Sequence, residues 1–331
     1  AEAALRAAIA GGGLSALEAA LAAAPREVRE GGVGAEYDAW TTDGVLEHYW
    51  GEHIHAGIYE NDSSFARDDG FWMAFLRATF SFGGITDFKK SKIRFSEDLW
   101  TFSGTLLKDT PESVLDVGCG FGGTTRMLAK AFPSADVKGI TLSSEQVKRA
   151  TQLADEASLG NCRFFVEDAL QMSSIPDASQ DLVWACECGE HMSDKKQWIN
   201  EMTRVLKPDG RLVIAMWCEK EPPHTRRERH LLDYLYDEWA HPQFISSKKC
   251  AELMESTGKL QKIQVQDWTD KTLATWRHSV FVGMWSPWRV MFSFSPRIWW
   301  RTCREIWALE KMHEAFHDGA MHYGVLTAQK S

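Results

Sequence analysis

A glycine-rich turn near the middle of the chain has the composition of a ligand-binding loop. It lies in the stretch VLDVGCGFGG at residues 114–123, where Gly118, Gly120 and Gly123 fit the pattern G-x-G-x-x-G. Four glycines within six residues weaken any packed element, so close packing alone explains them poorly. Where such a turn opens a helix, its backbone N–H groups can face an anionic part of a ligand. We therefore expect a ligand to bind at this turn.

The position of Asp116 helps to decide which of two cofactors such a turn binds. A nicotinamide dinucleotide site usually places an acidic residue about 20 residues after the turn, on the ribose. In this sequence the zone 138–146 holds only Glu145, inside a predicted helix. Asp116 instead lies two residues before Gly118, where it can anchor a cationic group while the glycines let the main chain approach a carboxylate. The pattern D-x-G-x-G-x-G-G favours S-adenosylmethionine over a dinucleotide as the cofactor.

The segments around this turn alternate between strand and helix patterns. Strands are predicted at 113–117, 136–140, 162–168, 181–187, 211–217, 259–268 and 321–330, and helices at 124–132, 143–160 and 194–210. Ser143 is expected to cap the second helix and Gly160 to end it, and a Pro-Asp-Gly turn to close the third. This alternation predicts an α/β fold, a doubly wound, mostly parallel seven-stranded sheet with a helical cap insertion. Ligands of such sheets bind at the carboxyl ends of the strands.

Composition excludes several classes of function. The chain has 331 residues, of which 44% are apolar and 25% charged, as in ordinary globular enzymes. Its formal net charge of -9 argues against nucleic acid as a partner, because phosphate-binding proteins carry a basic excess. The seven cysteines have neither zinc nor disulfide spacing, which indicates reduced thiols. No run of about 18 apolar residues is present, so no segment is predicted to span a membrane.

Residues 1–35 differ in composition from the rest of the chain. They are rich in alanine and are interrupted by glycines at 11–13. Two short helices could form here, but they would have little apolar surface to bury. We interpret this stretch as an N-terminal arm or as the remnant of a processed leader.

Motifs spread over residues 37–330 resemble those of class I S-adenosylmethionine-dependent methyltransferases. Within that class the chain is similar to the tocopherol C-methyltransferase group and its plant N-methyltransferase relatives. The motif before the core, YDAWTTDGVLEHYWGEHIHAGIYE, and the second-strand ending GITLSSEQ point to this group, and the glycine-rich turn points to the class as a whole. The matching stretches are 37–60, 114–130, 137–150, 167–170, 186–195, 202–218 and 265–276.

The resemblance implies a Rossmann-like methyltransferase fold with the following organisation. An N-terminal helical segment at 36–104 would cover the cofactor site, and a core at 105–220 would bind S-adenosylmethionine. An insertion at 221–320, containing the late strand 259–268, would form the cap that binds the acceptor. Residues 321–331 would add the last strand of the sheet.

The resemblance also implies a set of cofactor-binding residues. Thr141, Leu142 and Gln146 would replace the usual acid at the ribose, because a hydroxyl and an amide can still bond ribose oxygens. Asp168 would accept a hydrogen bond from the adenine amino group, although the same residue could simply cap a helix. The methionine end would be lined by Asp116, Gly118, Cys119, Gly120 and Gly122. Three further positions, Ala169, Cys186 and Glu187, would complete the lining.

The transfer itself needs mainly alignment of the acceptor with the methyl group, and a base where the acceptor carries a proton. Glu190 and His191 follow the fourth predicted strand, and His53 and His55 lie in the stretch before the core. We predict His191, Glu190 and His55 as catalytic residues, while a purely structural role stays open for each histidine. The three histidines could also approach a metal, but methyl transfer to carbon requires none, and we predict no metal site.

A tryptophan-rich basic stretch in the predicted cap bears on the acceptor. Between Asp270 and Glu305 there is no acidic residue, whereas six lysines and arginines are interspersed with five tryptophans and three phenylalanines. This mixture suits a membrane interface, and it suits equally a helical lid with inward aromatics. Either interpretation favours a hydrophobic small-molecule acceptor, and the first adds peripheral membrane contact through 276–304. The residues are Lys271, Arg277, Arg289, Arg297, Arg301 and Arg304, with Trp276, Trp285, Trp288, Trp299, Trp300, Phe281, Phe292 and Phe294.

The sequence thus predicts S-adenosylmethionine-dependent methyl transfer to a lipophilic small molecule. The resemblance favours ring C-methylation of a prenylated phenol or chromanol of the tocopherol type. N-methylation of a small amine or alkaloid is the alternative within the same fold, and a noncatalytic nucleotide-binding scaffold is the alternative outside it. The alanine-rich arm and the suspected acceptor suggest a plastid location, and the reduced thiols are also consistent with the cytoplasm.

Overall fold

A single sheet with helices on both faces forms the centre of the molecule. The computed structural model describes residues 32–59, 70–80, 85–104, 110–239, 241–293 and 296–331. Most of the predicted arm (1–31) and Phe294 therefore lie outside the described residues. The last four residues assigned to the arm, 32–35, belong to the first helix.

The sheet has the predicted strand number and class. Its order is β3-β2-β1-β4-β5-β7-β6, with β7 antiparallel to both β5 and β6 and the other neighbours parallel. The chain builds outward from β1 to β3 and then returns to place β4 on the other side of β1, so the crevice for a ligand opens between the ends of β1 and β4. The strands are β1 Ser113–Val117, β2 Asp136–Thr141, β3 Cys162–Val166, β4 Gln180–Cys186, β5 Leu206–Glu219, β6 Leu260–Asp267 and β7 Met321–Lys330.

The helices of the described residues fall before, between and after the core strands. They are α1 Gly32–Asp43, α2 Val45–Trp50, α3 Phe71–Phe80, α4 Ile85–Ser103, α5 Gly123–Ala131, α6 Ser144–Glu156, α7 Lys195–Val205, α8 Arg226–Trp239, α9 Ser247–Ser256, α10 Thr269–Thr272, α11 Ala274–Trp285, α12 Trp288–Met291 and α13 Pro296–His317. None of the helices in this part of the chain combines the length and hydrophobicity needed to cross a bilayer.

The central strands are apolar on both faces because helices cover both sides of the sheet. Val114 and Leu182 point into one hydrophobic core, and their neighbours Leu115 and Val183 point into the other. Side chains alternate between faces along a strand, so a strand buried on both faces becomes a continuous apolar run. This is why SVLDV and DLVWAC could be recognised as strands.

The end of α6 corrects one prediction. Ser143 caps the helix as expected, its hydroxyl accepting from the amide of Gln146 at 3.1 Å. The helix ends at Glu156, however, and Gly160 takes no part in its termination. Ser158 adopts the left-handed conformation (φ 55°) usually taken by glycine. Its amide and that of the next residue donate back to the carbonyls of Asp155 and Ala154, which satisfies the last turn.

The end of α7 also differs from the sequence-based prediction. The predicted helix 194–210 ends at Val205, because Pro208 has no amide N–H and disfavours helix in the residue before it. The Pro-Asp-Gly residues lie instead within β5 as a bulge. Leu206 pairs with Gln180 and Arg211 pairs with Leu182, so four residues of β5 lie opposite one residue of β4.

Helices from the two ends of the chain form one layer centred on α11. Phe281 of α11 contacts Phe75 of α3, with ring centroids 5.3 Å apart. Val282 clusters with Phe88 of α4, and Trp276 packs against a phenylalanine of α13 at 5.3 Å. The N-terminal segment is therefore fixed against the helices that follow β5.

Candidate functional site

A cavity that is open to solvent lies at the carboxyl ends of β1 to β4. The structure brings most of the predicted cofactor-binding residues together in its lining. These are Asp116, Gly118, Cys119, Gly120, Thr141, Leu142, Gln146, Ala169, Cys186 and Glu187, joined by His53, His55 and His191.

The glycine-rich turn forms the floor of this cavity. Gly118 has a φ of 76°, and a Cβ there would come within 2.6 Å of Cys188 Cβ, so no other residue fits without rearrangement. The amides of Gly118 and Cys119 both donate to the carbonyl of Ile140 at 2.9 Å, and they hold the turn against β2. Gly122 is not in the lining, because it starts α5 in a left-handed conformation and packs against Phe164.

Asp116 supplies a buried carboxyl at the methionine end of the predicted site. Its side chain is 2% exposed, and Oδ2 accepts from the hydroxyl of Thr125 at 2.6 Å. Burial raises the pKa of Asp116 to about 7, although the Thr125 hydrogen bond opposes that rise. A cationic group in the cavity would favour the ionised carboxylate.

At the predicted ribose end the polar groups are fewer. Thr141 donates its hydroxyl to Gln146 Oε1 at 2.8 Å, and Leu142 presents a 44% exposed side chain to the cavity. Asp168 is not brought to the lining. It is exposed, and its carboxylate accepts from the amide of Leu170 at 2.8 Å within a turn. No helix begins there, so the helix-cap interpretation is wrong as well. The contact of Asp168 with adenine stays a prediction without support from its position.

Glu187 connects the end of β4 to two distant segments. Its Oε1 accepts from the amide of Ala56 and from the hydroxyl of Tyr323, each at 2.7 Å. Gly57 continues the same N-terminal segment and donates its amide to Thr275 Oγ1 at 2.9 Å. Burial raises the pKa of Glu187 to about 7. A carboxyl that titrates near neutrality therefore lines the cavity.

His191 lines the cavity from the short 3₁₀ helix Gly189–His191 after β4. Its Nε2 is 3.1 Å from the hydroxyl of Tyr37, which comes from α1. Its Nδ1 is buried and has no hydrogen-bond partner among the described residues. Burial, and then Lys195, lower the pKa of His191 to about 4, so the ring is neutral at physiological pH.

Glu190 and the N-terminal histidines are less well placed for catalysis. Glu190 is 1% exposed and absent from the lining, and its Oε1 accepts from the amide of Trp217 at 2.5 Å. Burial, followed by the nearby Glu187, raises the pKa of Glu190 to about 8. Its role as a base stays a prediction that its position does not support.

His55 borders the cavity, but protein groups already engage both of its ring nitrogens. Nδ1 is 2.8 Å from the carbonyl of Ala56, and Nε2 is 3.3 Å from both His53 Nδ1 and Ser96 Oγ. Burial lowers the pKa of His55, and it lowers the pKa of His53 to about 4. In the described part of the chain, no group of three potential ligands has metal-binding geometry.

Contacts from α1 are the part of the site that residue patterns alone did not reveal. Besides the Tyr37 contact, Asp38 accepts from the Ser143 hydroxyl at 2.5 Å and from the Glu145 amide at 3.0 Å. Helix α1 is thus bonded to the loops after both β2 and β4. The only signal was that these residues begin the family-like stretch 37–60, since nothing local indicates partners more than 100 positions away.

Comparison with known proteins agrees with this geometry. Residues 114–210 match the family model described as a methyltransferase domain. The chain is 36% identical to the 2-methyl-6-phytyl-1,4-hydroquinone methyltransferase of Synechocystis over 89% of its own length and 86% of that protein. The chain belongs to the S-adenosylmethionine-dependent methyltransferases.

Other relatives fit the same assignment. The methyltransferase is 32% identical to the chloroplastic tocopherol O-methyltransferase of Arabidopsis thaliana, with 94% of this chain and 85% of that one covered. It is 28% identical to norajmaline N-methyltransferase of Rauvolfia serpentina over 89% and 96%. The fold matches geranyl diphosphate C-methyltransferase of Streptomyces coelicolor, solved with S-adenosyl-L-homocysteine, with a TM-score of 0.65, 18% identity and coverage of 90% and 96%. The noncatalytic scaffold interpretation is therefore set aside.

S-adenosylmethionine is the methyl donor of this enzyme, and the cavity fits it. The amino-acid end of the cofactor carries an ammonium and a carboxylate, so it needs a buried acid beside a turn whose main chain can come close to the ligand. Asp116 supplies the acid, and Gly118 allows the close approach. The fit also requires the acid to be free of protein cations, and in the described residues Asp116 bonds only to Thr125.

The raised pKa of Asp116 predicts how the cofactor-free protein responds to pH. Its folded value of about 7 lies above the value of 3.8 of the unfolded chain, so the folded state alone holds this proton between those values. The contribution of Asp116 to stability should therefore fall as pH rises through this window, whereas the buried histidines with lowered pKa contribute in the opposite sense. In denaturant titrations, the change in stability from pH 5 to pH 7 should be about 2–3 kcal/mol more favourable in Asp116→Asn than in the wild type.

Thr125→Val is the matched variant for this measurement. It removes the hydrogen bond that opposes the shift, so the decline should extend to higher pH than in the wild type. The same change in stability from pH 5 to pH 7 in the wild type and in Asp116→Asn would contradict the prediction.

Proposed function

We propose that this methyltransferase transfers a methyl group to a ring carbon of a prenylated phenol or chromanol. The relative from Synechocystis, similar over nearly the whole chain, is named for a phytyl hydroquinone. The observation that carries the proposal is Glu187, a carboxyl with a pKa of about 7 in the lining of the cavity. A base of that pKa suits removal of a phenolic proton at neutral pH.

The residues of the cavity would divide the work as follows. When bound, the cofactor supplies an electrophilic methyl group on a sulfonium. Asp116 would hold its ammonium, and the backbone of Gly120 would lie along its carboxylate. Helix α1, fixed on both rims by Tyr37 and Asp38, would exclude water from the region between donor and acceptor.

Glu187 would accept the proton as the phenolic O–H bond breaks. The electron pair left on oxygen would raise the electron density of the ortho carbon, which would bond the methyl group as the methyl–sulfur bond of the donor breaks and S-adenosylhomocysteine leaves. The ring carbon would then lose its own proton to restore the aromatic ring, and the oxygen would regain one, so that one proton is released overall. His191, neutral and held by Tyr37, has its Nδ1 available to bond the phenolic oxygen. Glu187 and His191 would thus orient the acceptor ring between them, and Glu187 would receive the phenolic proton.

N-methylation of an amine is the second candidate. The observation in its favour is the similarity to the norajmaline enzyme across most of both chains. A carboxylate such as Glu187 could deprotonate an ammonium as well as a phenol, so the base alone does not separate the two reactions.

A labelled methyl donor with a panel of phytyl hydroquinones, tocopherols and alkaloid amines tests the proposed reaction. We expect the label on ring carbon of the hydroquinone or chromanol, identified by fragment masses. Labelled nitrogen with no labelled hydroquinone would contradict the proposal and support the second candidate.

Replacing Glu187 and Glu190 separately tests which of the two carboxyls acts as the base. Glu187→Gln should lower kcat at pH 7 by about 10²- to 10⁴-fold, the usual contribution of a general base, with a smaller loss at high pH where the phenol ionises unaided. Glu190→Gln is the control, because the amide oxygen can still accept from Trp217, and it should change kcat less than about tenfold. Equal losses in both variants, with cofactor binding unchanged, would refute the assignment.

We also propose that one apolar face of the enzyme contacts membrane lipid. Of twelve large apolar side chains exposed in the described chain, seven lie on α3, on α12 and at the start of α13. Trp285 links the two regions, because it stacks on Phe75 of α3 and lies just before α12. The apolar face consists of Trp72, Met73, Leu76, Trp288, Met291, Phe292 and Trp299.

Three arginines of the basic run are paired with acids and so contribute little to binding anionic headgroups. Arg277 pairs with Glu310 at 2.8 Å, Arg304 pairs with Glu238 at 2.7 Å, and Arg301 pairs with Asp43. These acids lie outside the basic run and neutralise that part of its charge. Insertion of indole and other apolar side chains would therefore drive the contact.

Vesicle flotation tests the apolar face. We expect wild-type enzyme to float with uncharged phosphatidylcholine vesicles and to do so equally at low and high salt. The triple variant Trp72→Ser, Trp288→Ser, Phe292→Ser should remain at the bottom, because it loses most of the insertable surface. Phe165→Ser with Val265→Ser, two exposed apolar positions on β3 and β6, is the control and should float normally.

Absence of flotation by the wild type, or flotation only with phosphatidylglycerol vesicles at low salt, would contradict this mode of contact. The chloroplastic name of the Arabidopsis relative favours the plastid over the cytoplasm as the location of that membrane. Fractionation of the source cells, with the enzyme recovered outside the plastid, would refute that location.

A further inference from the structure

His53 lines the cavity beside the glycine-rich turn, and its ring is fixed there by close packing. A Cβ at Gly123 would lie 2.9 Å from Cδ2 of His53 and 2.5 Å from the carbonyl oxygen of Glu52, so the segment rests directly on the start of α5. The Glu52 carboxylate pairs with Arg126, a buried guanidinium that also donates to the carbonyl of Phe121 at 2.6 Å. Since Cδ2 is bonded to Nε2, the edge of the imidazole that carries Nε2 lies next to the turn.

The hydrogen bonds of His55 determine which ring nitrogen of His53 carries the proton. Nδ1 of His55 is 2.8 Å from the carbonyl oxygen of Ala56, which can only accept, so this Nδ1 carries the hydrogen. Burial lowers the pKa of His55 and keeps the ring neutral, and its Nε2 is therefore an acceptor. Nδ1 of His53 lies 3.3 Å from that Nε2. Because two facing lone pairs would repel, His53 carries its hydrogen on Nδ1 and donates it to His55.

Nε2 of His53 is consequently left with a lone pair. Among the described residues, every hydrogen bond of the His53 ring involves Nδ1, with His55 and with Thr124 Oγ1 at 3.4 Å. Burial, followed by Lys92, lowers the pKa of His53 to about 4, so the ring is neutral at physiological pH. A neutral imidazole nitrogen of this kind accepts from an N–H or O–H group and cannot bond a carboxylate.

The carboxyl of Asp116 flanks the same end of α5. Two consecutive residues of this helix contact the two groups, because Thr124 Oγ1 lies 3.4 Å from His53 Nδ1 and the next residue, Thr125, donates to Asp116 at 2.6 Å. Both His53 and Asp116 line the cavity. An ammonium has three N–H donors, so a carboxylate alone leaves some of them to be satisfied by other acceptors.

We propose that His53 is a cofactor-binding residue, whose Nε2 accepts a hydrogen bond from the ammonium of S-adenosylmethionine together with Asp116. His55 is then a positioning residue, because it fixes the tautomer of His53. An uncharged acceptor suits this place, since a second carboxylate would repel the carboxylate of the same amino-acid end. Because it concerns only the methyl donor, this role is independent of which acceptor the enzyme methylates.

The substitution His53→Phe keeps a ring in this place and removes its nitrogens. We would measure by calorimetry the binding of S-adenosylhomocysteine and of its deamino analogue, in which hydrogen replaces the amino group. His53→Phe should weaken S-adenosylhomocysteine by about 10- to 100-fold, the usual contribution of a hydrogen bond to a charged group, and the analogue by less than about twofold. His53→Gln should restore most of the lost affinity, because its amide oxygen can lie close to the position of Nε2.

His313→Phe is the matched control. His313 lies on α13, is 3% exposed and is absent from the lining of the cavity, so its replacement should leave the affinity for both ligands unchanged. An equal loss for both ligands in His53→Phe would mean that the ring only supports the shape of the cavity, and full affinity for S-adenosylhomocysteine would mean that it makes no contact. Either result overturns the inference and leaves ring methylation standing, since the labelled-donor assay tests that reaction separately.

Discussion

The carboxyl of Glu187 is the interaction on which the site depends. It bonds the amide of Ala56 and the hydroxyl of Tyr323, so one side chain joins the N-terminal segment, the end of β4 and the last strand. Glu187 itself has a left-handed backbone (φ 48°), a conformation that non-glycine residues rarely adopt and that surrounding contacts must maintain. Because the first of these contacts fixes the N-terminal segment beside the cavity, His53 and His55 depend on it for their place in the lining.

The electrostatics of the cavity suit a cationic cofactor. Burial brings the pKa of Asp116 and of Glu187 to about 7 and that of Glu190 to about 8. Two buried ammoniums act on the pKa of these carboxyls, and both donate to backbone carbonyls. Lys195 donates to those of Glu190 and Met192 at 3.3 and 2.6 Å, and Lys92 donates to that of Trp50 at 2.9 Å. The protein therefore leaves these carboxyls without a full counter-charge, and a ligand with positive charge would restore the balance. A dinucleotide, which is anionic, would add to the excess of negative charge.

The sequence was most informative where one local rule determines the structure. Apolar runs predicted the central strands, such as β1 and β4, and the spacing of Asp116 and Gly118 predicted the floor of the site, because burial on both faces and close backbone approach constrain residue type directly. Prediction was weaker where a contact links distant segments or where two local signals compete. The left-handed position went to Ser158 although Gly160 stood two residues away. The Tyr37 contact with His191 joins residues 154 positions apart, and no pattern in either neighbourhood records it.

The position of β7 has a consequence for how the enzyme folds during its synthesis on the ribosome. This strand lies between β5 and β6, so β6 has no partner in the sheet until residues 321–330 have been synthesised. Tyr323, which bonds Glu187, arrives on the same strand. The nascent chain must therefore keep an unpaired edge on β5 from residue 219 until β7 is made, and the hydrogen bond between Tyr323 and Glu187 forms only after the final strand has joined the sheet.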